Sequence, residues 1–522
     1  MELVYLWVDN YKNIKNQGFN FSPRFECEFK AEYDEDKKLK NDCELKITPK
    51  EYIENFFGKD INVTAIVGEN GSGKSNILNF ILELLENNDA NDNNYILIVR
   101  NNNENFNISN FLKKDEIKDL FLEEFLSQIN FYSYSNILPK KSNAILLTKE
   151  EINNHLMGLP DKKFKLTSFM YLPKKVKIKC ISPEKSLEKL FKNDNYINYT
   201  LNSNSNNIGK SIGEIKKEFE EVFLKVTDNY ERFLVIIYLK NKLEIPDIKS
   251  IKTKLKNELK NLISKEDFIS YFKDNEKENS ELNTKEKEIY IKYMDFFDFD
   301  FIDEKNRRYS ELSHGEQVLF GQMLNIYCYS LKQNTNLIFL FDEPEISLHP
   351  NWQKRYIQEL AILVEKLKKN YHFIFTSHSP FILSDLPKEN VIFLEKYKKD
   401  EDKNQEEGNC KNATKDIQLE TFGANIHTLL SDGFFMSDGL MGEFAKSKIT
   451  EILEYLNDKE ELKTIEKEQI KPIIESIGED FLRKKLLNLY HKKLTKNEKE
   501  TEKGILENKI KELQKQLKEL DK

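Results

Sequence analysis

An apolar run, Val63 to Val67, leads into Gly68-Glu69-Asn70-Gly71-Ser72-Gly73-Lys74-Ser75, and Ile77, Leu78, Phe80, Ile81, Leu84 and Leu85 then recur at helical spacing. That order commits the chain to a strand, loop, helix unit. The acidic, Asn-rich segment Glu86 to Asn94 closes the helix. The glycines let the loop backbone turn its N–H groups inward, and the helix aims the positive end of its dipole at the same point. Such a loop wraps phosphates. Lys74 would reach the β- and γ-phosphates of a nucleotide, and Ser75 would ligate Mg2+. The strand before and the helix after separate this arrangement from an ordinary glycine turn.

A second apolar strand, Leu337 to Phe341, ends in Asp342-Glu343, and a third, His372 to Phe375, ends in Thr376-Ser377-His378-Ser379-Pro380. Short, continuously apolar strands between helical patterns predict an α/β fold around a mostly parallel sheet. Two carboxylates at one strand end call for a cation. Asp342 can hold Mg2+ through water, and Glu343 can polarise an attacking water. An acidic pair after an apolar run is by itself a solvated strand end; beside a phosphate loop it points to nucleotide hydrolysis.

Leu312-Ser313-His314-Gly315-Glu316-Gln317 matches LSxGEQ, the signature of ABC-type ATPases, and with the preceding motifs the chain resembles that superfamily. Ser313, Gly315, Glu316 and the helix start after them can present donors and a positive dipole to a γ-phosphate. The resemblance implies an ABC-type ATPase head with a parallel core sheet and antiparallel N-terminal strands. It implies ATP and Mg2+ as ligands, His378 as the switch histidine, and a homodimer or higher homo-oligomer in which the signature of one subunit meets ATP on the other.

Asp342-Glu343-Pro344-Glu345-Ile346-Ser347-Leu348-His349-Pro350 is similar to the RecF, SMC and overcoming-lysogenisation-defect branch. Phe422 to Leu430, Phe434-Phe435 and Ile473 to Tyr490 resemble the ATPase subunits of anti-phage systems, notably the Septu ATPase PtuA and retron-associated relatives. That likeness implies a separate nuclease subunit gated by ATP; the alternative is a RecF-like DNA-repair clamp. Lys12 falls where relatives carry a basic residue near the phosphates, and Gln128 is the candidate Q-loop glutamine.

Four regions are expected: residues 1–90, the first lobe of the head; 91–304, a mainly helical insertion; 305–440, the second lobe; and 441–522, a helical region ending in a short coiled coil. The last rests on Leu506, Ile510, Leu513, Leu517 and Leu520, spaced 4, 3, 4, 3. Lys396 to Asp416 reads as a hydrophilic linker, and its Asp400-Glu401-Asp402 as a solvated loop rather than a nuclease site.

The formal charge of -8 leaves any DNA contact to local patches. Lys175, Lys177 and Lys179 lie on one face of a strand, either to bind phosphates or to protect a sheet edge. Asp298, Asp300 and Asp303 are expected on the solvent face of a strand. The 5 cysteines lie far apart, as in a reducing cytoplasm. No apolar run approaches the ~20 residues of a membrane span, and the N-terminus lacks a signal-peptide pattern.

Overall fold

A computed structural model describes residues 2–101 except 37, 41, 42 and 88–92, then 104–109, 118–119, 130–135, 156, 164, 171–191 and most of 217–242, omitting 218, 219, 222 and 225. It continues with 265–272, 277–279, 282–434 except 334 and 335, and 441–520. Gln128 lies outside the described residues. The chain divides into two compact units, Met1–Phe435 and Met436–Lys522.

The first unit opens with two hairpins, β1 (Glu2–Tyr11) with β2 (Ile14–Asn20), and β3 (Phe25–Lys30) with β4 (Glu44–Pro49). Strand β5 (Ile61–Gly68) delivers the glycine loop to helix α1 (Lys74–Asn87). Strands β6 (Tyr95–Asn101), β7 (Glu104–Ser109) and β8 (Lys118–Asp119) join the N-terminal sheet in the order β2-β1-β6-β7-β8. Strand β9 (Asn130–Ser135) pairs instead with β13 (Asn336–Asp342). Residues 95–135, expected inside an insertion, therefore supply strands to the head's own sheets.

The core sheet is completed by β14 (Asn370–Thr376), β15 (Val391–Lys396) and β16 (Cys410–Asn412), in the order β16-β15-β5-β14-β13-β9. All its pairings are parallel except that of β16 with β15. Both faces are buried, which is why the strands read as unbroken apolar runs. Val63, Ala65, Val67, Phe339, Phe341, Phe373 and Phe375 face one core, while Ile66, Ile338, Leu340, Ile374, Ile392 and Leu394 face another shared with α1 and the N-terminal sheet. The segment expected to be a linker is a hairpin of this sheet: Cys410 and Ala413 are buried, and Glu401 accepts from Lys411 Nζ at 2.8 Å.

His372 pins the two sheets together. It is fully buried on β14; Nδ1 accepts from Leu3 N–H at 3.1 Å, and Nε2 lies 3.0 Å from Thr64 Oγ1, whose hydroxyl donates to Phe21 O. These partners select a neutral ring protonated on Nε2. Burial pushes its pKa down to about 3. A second proton on Nδ1 would confront Leu3 N–H, so the unfolded chain, with an ordinary His pKa of about 6.5, binds more protons below that pH. Stability therefore falls as pH drops from about 6.5 toward the folded value. Between pH 6.5 and 5 the loss is about 2 kcal/mol. Urea unfolding at pH 7 and pH 5 should show His372→Gln with a correspondingly flatter pH dependence than wild type, and identical slopes would remove His372 from this role.

A three-stranded sheet in the order β11-β10-β12 is built from β10 (Pro173–Cys180), β11 (Lys277–Asn279) and β12 (Phe297–Asp303). Strand β10 is central, so its lysines do not guard an edge. In register, Lys177 sits opposite Asp300 and Glu278, and Lys179 opposite Asp298, so acids answer two of the three lysines, while Lys175 sits opposite Ile302. The expected solvent face holds for Asp298, which is exposed, and for Asp300, which is half-buried on the same face, but not for Asp303. Asp300 accepts from Ser310 Oγ at 2.9 Å. Asp303, of opposite parity along the strand, is 5% exposed and accepts from Lys305 N, Arg307 N and Arg307 Nε.

The second unit is a helical cluster of α6 (Glu443–Leu456), α7 (Ile470–Glu475) and α8 (Asp480–Leu520), around Ile452, Leu456, Ile470, Ile474 and Leu486. Of the leucine stripe, Leu506, Ile510 and Leu513 are exposed on α8, and the side chains of Leu517 and Leu520 lie outside the described residues. No described helix is long and apolar enough to cross a membrane.

Candidate active site

Strands β5, β13 and β14 run parallel and adjacent, so the loops after them emerge at one edge of the sheet. That edge collects the residues that the sequence scatters. The glycine loop leaves β5 through Gly68, whose φ of 151° and close approach to Leu394 O, 2.0 Å from where a Cβ would stand, admit no side chain. Asn13, in the β1–β2 turn, braces the loop: its Nδ2 donates to Gly71 O at 3.1 Å, and its Oδ1 accepts from Asn76 Nδ2 at 2.7 Å. Lys12 precedes it with a φ of 52°, its Nζ 4.8 Å from the Tyr11 ring centroid.

Lys74 is 5% exposed, and its Nζ donates to Gly68 O at 3.0 Å and Glu69 O at 2.8 Å. Burial lowers its pKa, and the carboxylates of Glu343, Asp342 and Glu69 act in the opposite sense. Ser75 Oγ donates to Asp342 Oδ1 at 3.0 Å, and Thr376 Oγ1 donates to the same oxygen at 2.6 Å. Glu69 also faces Lys396 at 3.3 Å.

Glu343 has a φ of 48°, the left-handed region that a non-glycine residue enters only when its surroundings enforce it. Part of that enforcement is its N–H, which donates to Thr376 Oγ1 at 3.0 Å. Burial and the neighbouring Asp342 carboxylate raise the pKa of Glu343, against the pull of Lys74. His378 Nε2 lies 3.3 Å from Glu343 Oε1, and its ring stacks on Phe434 at 6.4 Å between centroids. Burial and the Lys74 ammonium hold His378 down to about 4. At neutral pH the imidazole is thus neutral and the contact is not an ion pair.

Ser313, Gly315 and Glu316 form a second group. Ser313 is the N-cap of helix α4 (His314–Lys332), in a reciprocal capping box with Glu316: Glu316 N–H donates to Ser313 Oγ at 3.4 Å, and Ser313 N–H donates to Glu316 Oε2 at 3.0 Å. A Cβ at Gly315 would stand 2.8 Å from Ser347 O, so this turn packs against the segment after β13. Gln322 of α4 reaches the same segment by donating to Pro344 O at 3.0 Å. No hydrogen bond or ion pair among the described residues joins Ser313, Gly315 or Glu316 to the glycine loop.

The structure brings together Lys74, Ser75, Asp342, Glu343 and His378, and packs the signature turn against the segment that follows Glu343. Sequence reasoning assigned no role to Asn13, Thr376 or Gln322. Thr376 was legible in principle, since it ends its strand as Asp342 ends the neighbouring one; their register, Asp342 opposite Thr376, belongs to the pairing. Nothing in the spacing marks Asn13.

Residues 1–383 match the AAA ATPase domain family. A retron Vc95 probable ATPase of Vibrio cholerae serotype O1 biovar El Tor is 26% identical over 379 residues, covering 65% of this chain and 70% of that protein. A retron Ec83 probable ATPase of Escherichia coli is 32% identical over 103 residues, 18% of each chain. An SMC head domain from Thermotoga maritima shares 13% identity over 78% of this chain and 97% of its own, with a TM-score of 0.28. The family match spans most of the chain, and its strand, loop and helix core holds the glycine loop and the paired carboxylates: the chain belongs to the AAA ATPase domain family.

Proposed function

We propose that the chain binds ATP with Mg2+, closes as a head-to-head homodimer or higher homo-oligomer around it, and uses hydrolysis to gate a separate nuclease subunit in anti-phage defence. The observation that carries the enzymatic part is the convergence of Lys74, Ser75, Asp342, Glu343 and His378 at one sheet edge. A hydroxyl and a carboxylate 3.0 Å apart are oxygen donors of the kind Mg2+ takes alongside substrate phosphates and water. Bound there, Mg2+ would neutralise charge developing on the phosphates. The backbone N–H groups of 68–75 wrap the phosphates, and Lys74 turns from the loop carbonyls to the β and γ oxygens. Glu343 orients and polarises the attacking water, while neutral His378 donates toward the γ-phosphate.

No hydrogen bond or ion pair among the described residues joins Ser313, Gly315 or Glu316 to the glycine loop, which suits a signature that completes the site of a second copy. Retron ATPases among the relatives support the defence assignment. Two of the three lysines that would favour a DNA clamp, Lys177 and Lys179, face acids across their own sheet. The test is to purify the tagged protein together with the product of the adjacent gene, then measure native mass and DNA cleavage with and without ATP. A stable complex whose cleavage depends on nucleotide is expected. Absence of any partner, with ATP-dependent retention on DNA instead, would overturn the gating role in favour of the clamp.

A further inference from the structure

Glu345 follows the proposed catalytic carboxylate by two positions and is 3% exposed. Carboxylates are seldom buried without a cation, yet among the described residues Glu345 has no ion-pair partner. Its Oε1 accepts from Ser377 Oγ at 2.5 Å and from His378 N–H at 3.0 Å. Its Oε2 is buried and, among the described residues, has no hydrogen-bond partner. Burial raises its pKa, while the bonds from Ser377 and His378 oppose the rise.

A second set of bonds closes a ring around this contact. Ser379 N–H donates to Ser377 Oγ at 3.0 Å, and Ser379 Oγ donates to Gln353 Oε1 at 2.7 Å. Gln353 Nε2 returns to Leu348 O at 2.9 Å and to Glu345 O at 3.3 Å. The turns after β13 and β14 are thereby tied to each other, and the tie to His378 is to its main chain alone, so Glu345 sets where the imidazole starts without touching what the imidazole touches.

We infer that Glu345 is a positioning residue: its buried carboxylate holds the 377–379 turn so that the His378 ring faces Glu343 and the reacting phosphate. The inference rests on the reading of His378 given under Proposed function. The tolerance for an unpartnered oxygen follows, because a carboxylate accepts two donors on one oxygen more strongly than an amide does. With Glu345→Ala the turn loses both bonds, the ring drifts, and a shift of about 1 Å at a reacting group costs about 10²-fold in rate.

The test is a double-mutant cycle on steady-state ATP turnover by the full-length protein, using Glu345→Ala, His378→Ala and the pair, with Glu345→Gln as the conservative variant. The expected result is a kcat lowered about 10²-fold by Glu345→Ala with KM for ATP nearly unchanged, no further loss when it is added to His378→Ala, and substantial recovery in Glu345→Gln. Losses that multiply in the double variant, or an unchanged kcat in Glu345→Ala, overturn the inference. Should Glu345→Ala fail to fold, Ser377→Ala takes its place in the cycle with the same non-additivity expected, and additivity there is equally fatal. If His378→Ala turns over ATP like wild type, the assignment of His378 itself falls; a slow His378→Ala with a multiplicative Glu345→Ala removes Glu345 alone.

Discussion

Lys74→Ala is expected to abolish ATP turnover and to weaken ATP binding at least about 10²-fold, the scale on which one buried charged donor to a developing oxyanion counts. The ammonium is the only cation placed by the described hydrogen bonds inside the glycine loop, and it offsets the charges of Asp342 and Glu343. Without it two adjacent carboxylates meet a polyphosphate with Mg2+ alone to separate them. Because α1 is held in the core by Ile77, Phe80, Ile81 and Leu84, the variant should stay folded. Calorimetric titration with ATP together with a phosphate-release assay gives the answer. Near-normal turnover in a folded Lys74→Ala would end the nucleotide reading of this loop.

Glu343→Gln should do the reverse, leaving ATP bound and lowering turnover by about 10²- to 10⁴-fold, the range for loss of a general base. The amide keeps the shape and the left-handed backbone that Thr376 supports, so the pocket persists. It cannot take up a proton, and it removes one of two neighbouring negative charges, which favours retention of ATP. Nucleotide-bound protein should then accumulate as a dimer, read by native mass or light scattering with ATP. A fully active Glu343→Gln would move the base elsewhere, and an inactive but strictly monomeric one with ATP bound would remove the composite site.

The two variants also separate what each half of the site does. Lys74 lies on the loop proposed to grip the nucleotide, and Glu343 at the strand end proposed to react; Thr376 and Ser75 both donate to one oxygen of Asp342 between them. Loss of grip in one and trapped grip in the other would establish that division.

Much of this was legible in the sequence because the relevant signals are local. The glycine loop between an apolar strand and an amphipathic helix, the acidic pair closing Leu337 to Phe341, and the capping box hidden in Leu-Ser-His-Gly-Glu each depend on residues a few positions apart. Local patterns dictated the strands, the loop, α1 and α4. They failed where the deciding partner was distant. Lys396 to Asp416 is hydrophilic enough to read as a linker, yet β16 adds to the core sheet because Cys410 N–H finds Asn13 O at 2.7 Å. Grouping Asp303 with Asp298 and Asp300 on the solvent face overlooked its opposite parity along the strand; the tight turn to Arg307 buried it. The limit of distant partners hid the acids opposite Lys177 and Lys179, which need the register of β10 against β12.

The sequence by itself determined that a phosphate-binding loop, a carboxylate pair, a signature turn and a strand-end histidine exist in this chain, since backbone preference, apolar period and capping act over one or two turns of chain. Only the tertiary structure decided that β5, β14 and β13 are neighbours, and hence that Lys74, Asp342 and His378 share an edge. Strand order and register are set by which apolar faces can be buried together, and that choice is made by the whole sheet at once and not by any segment within it.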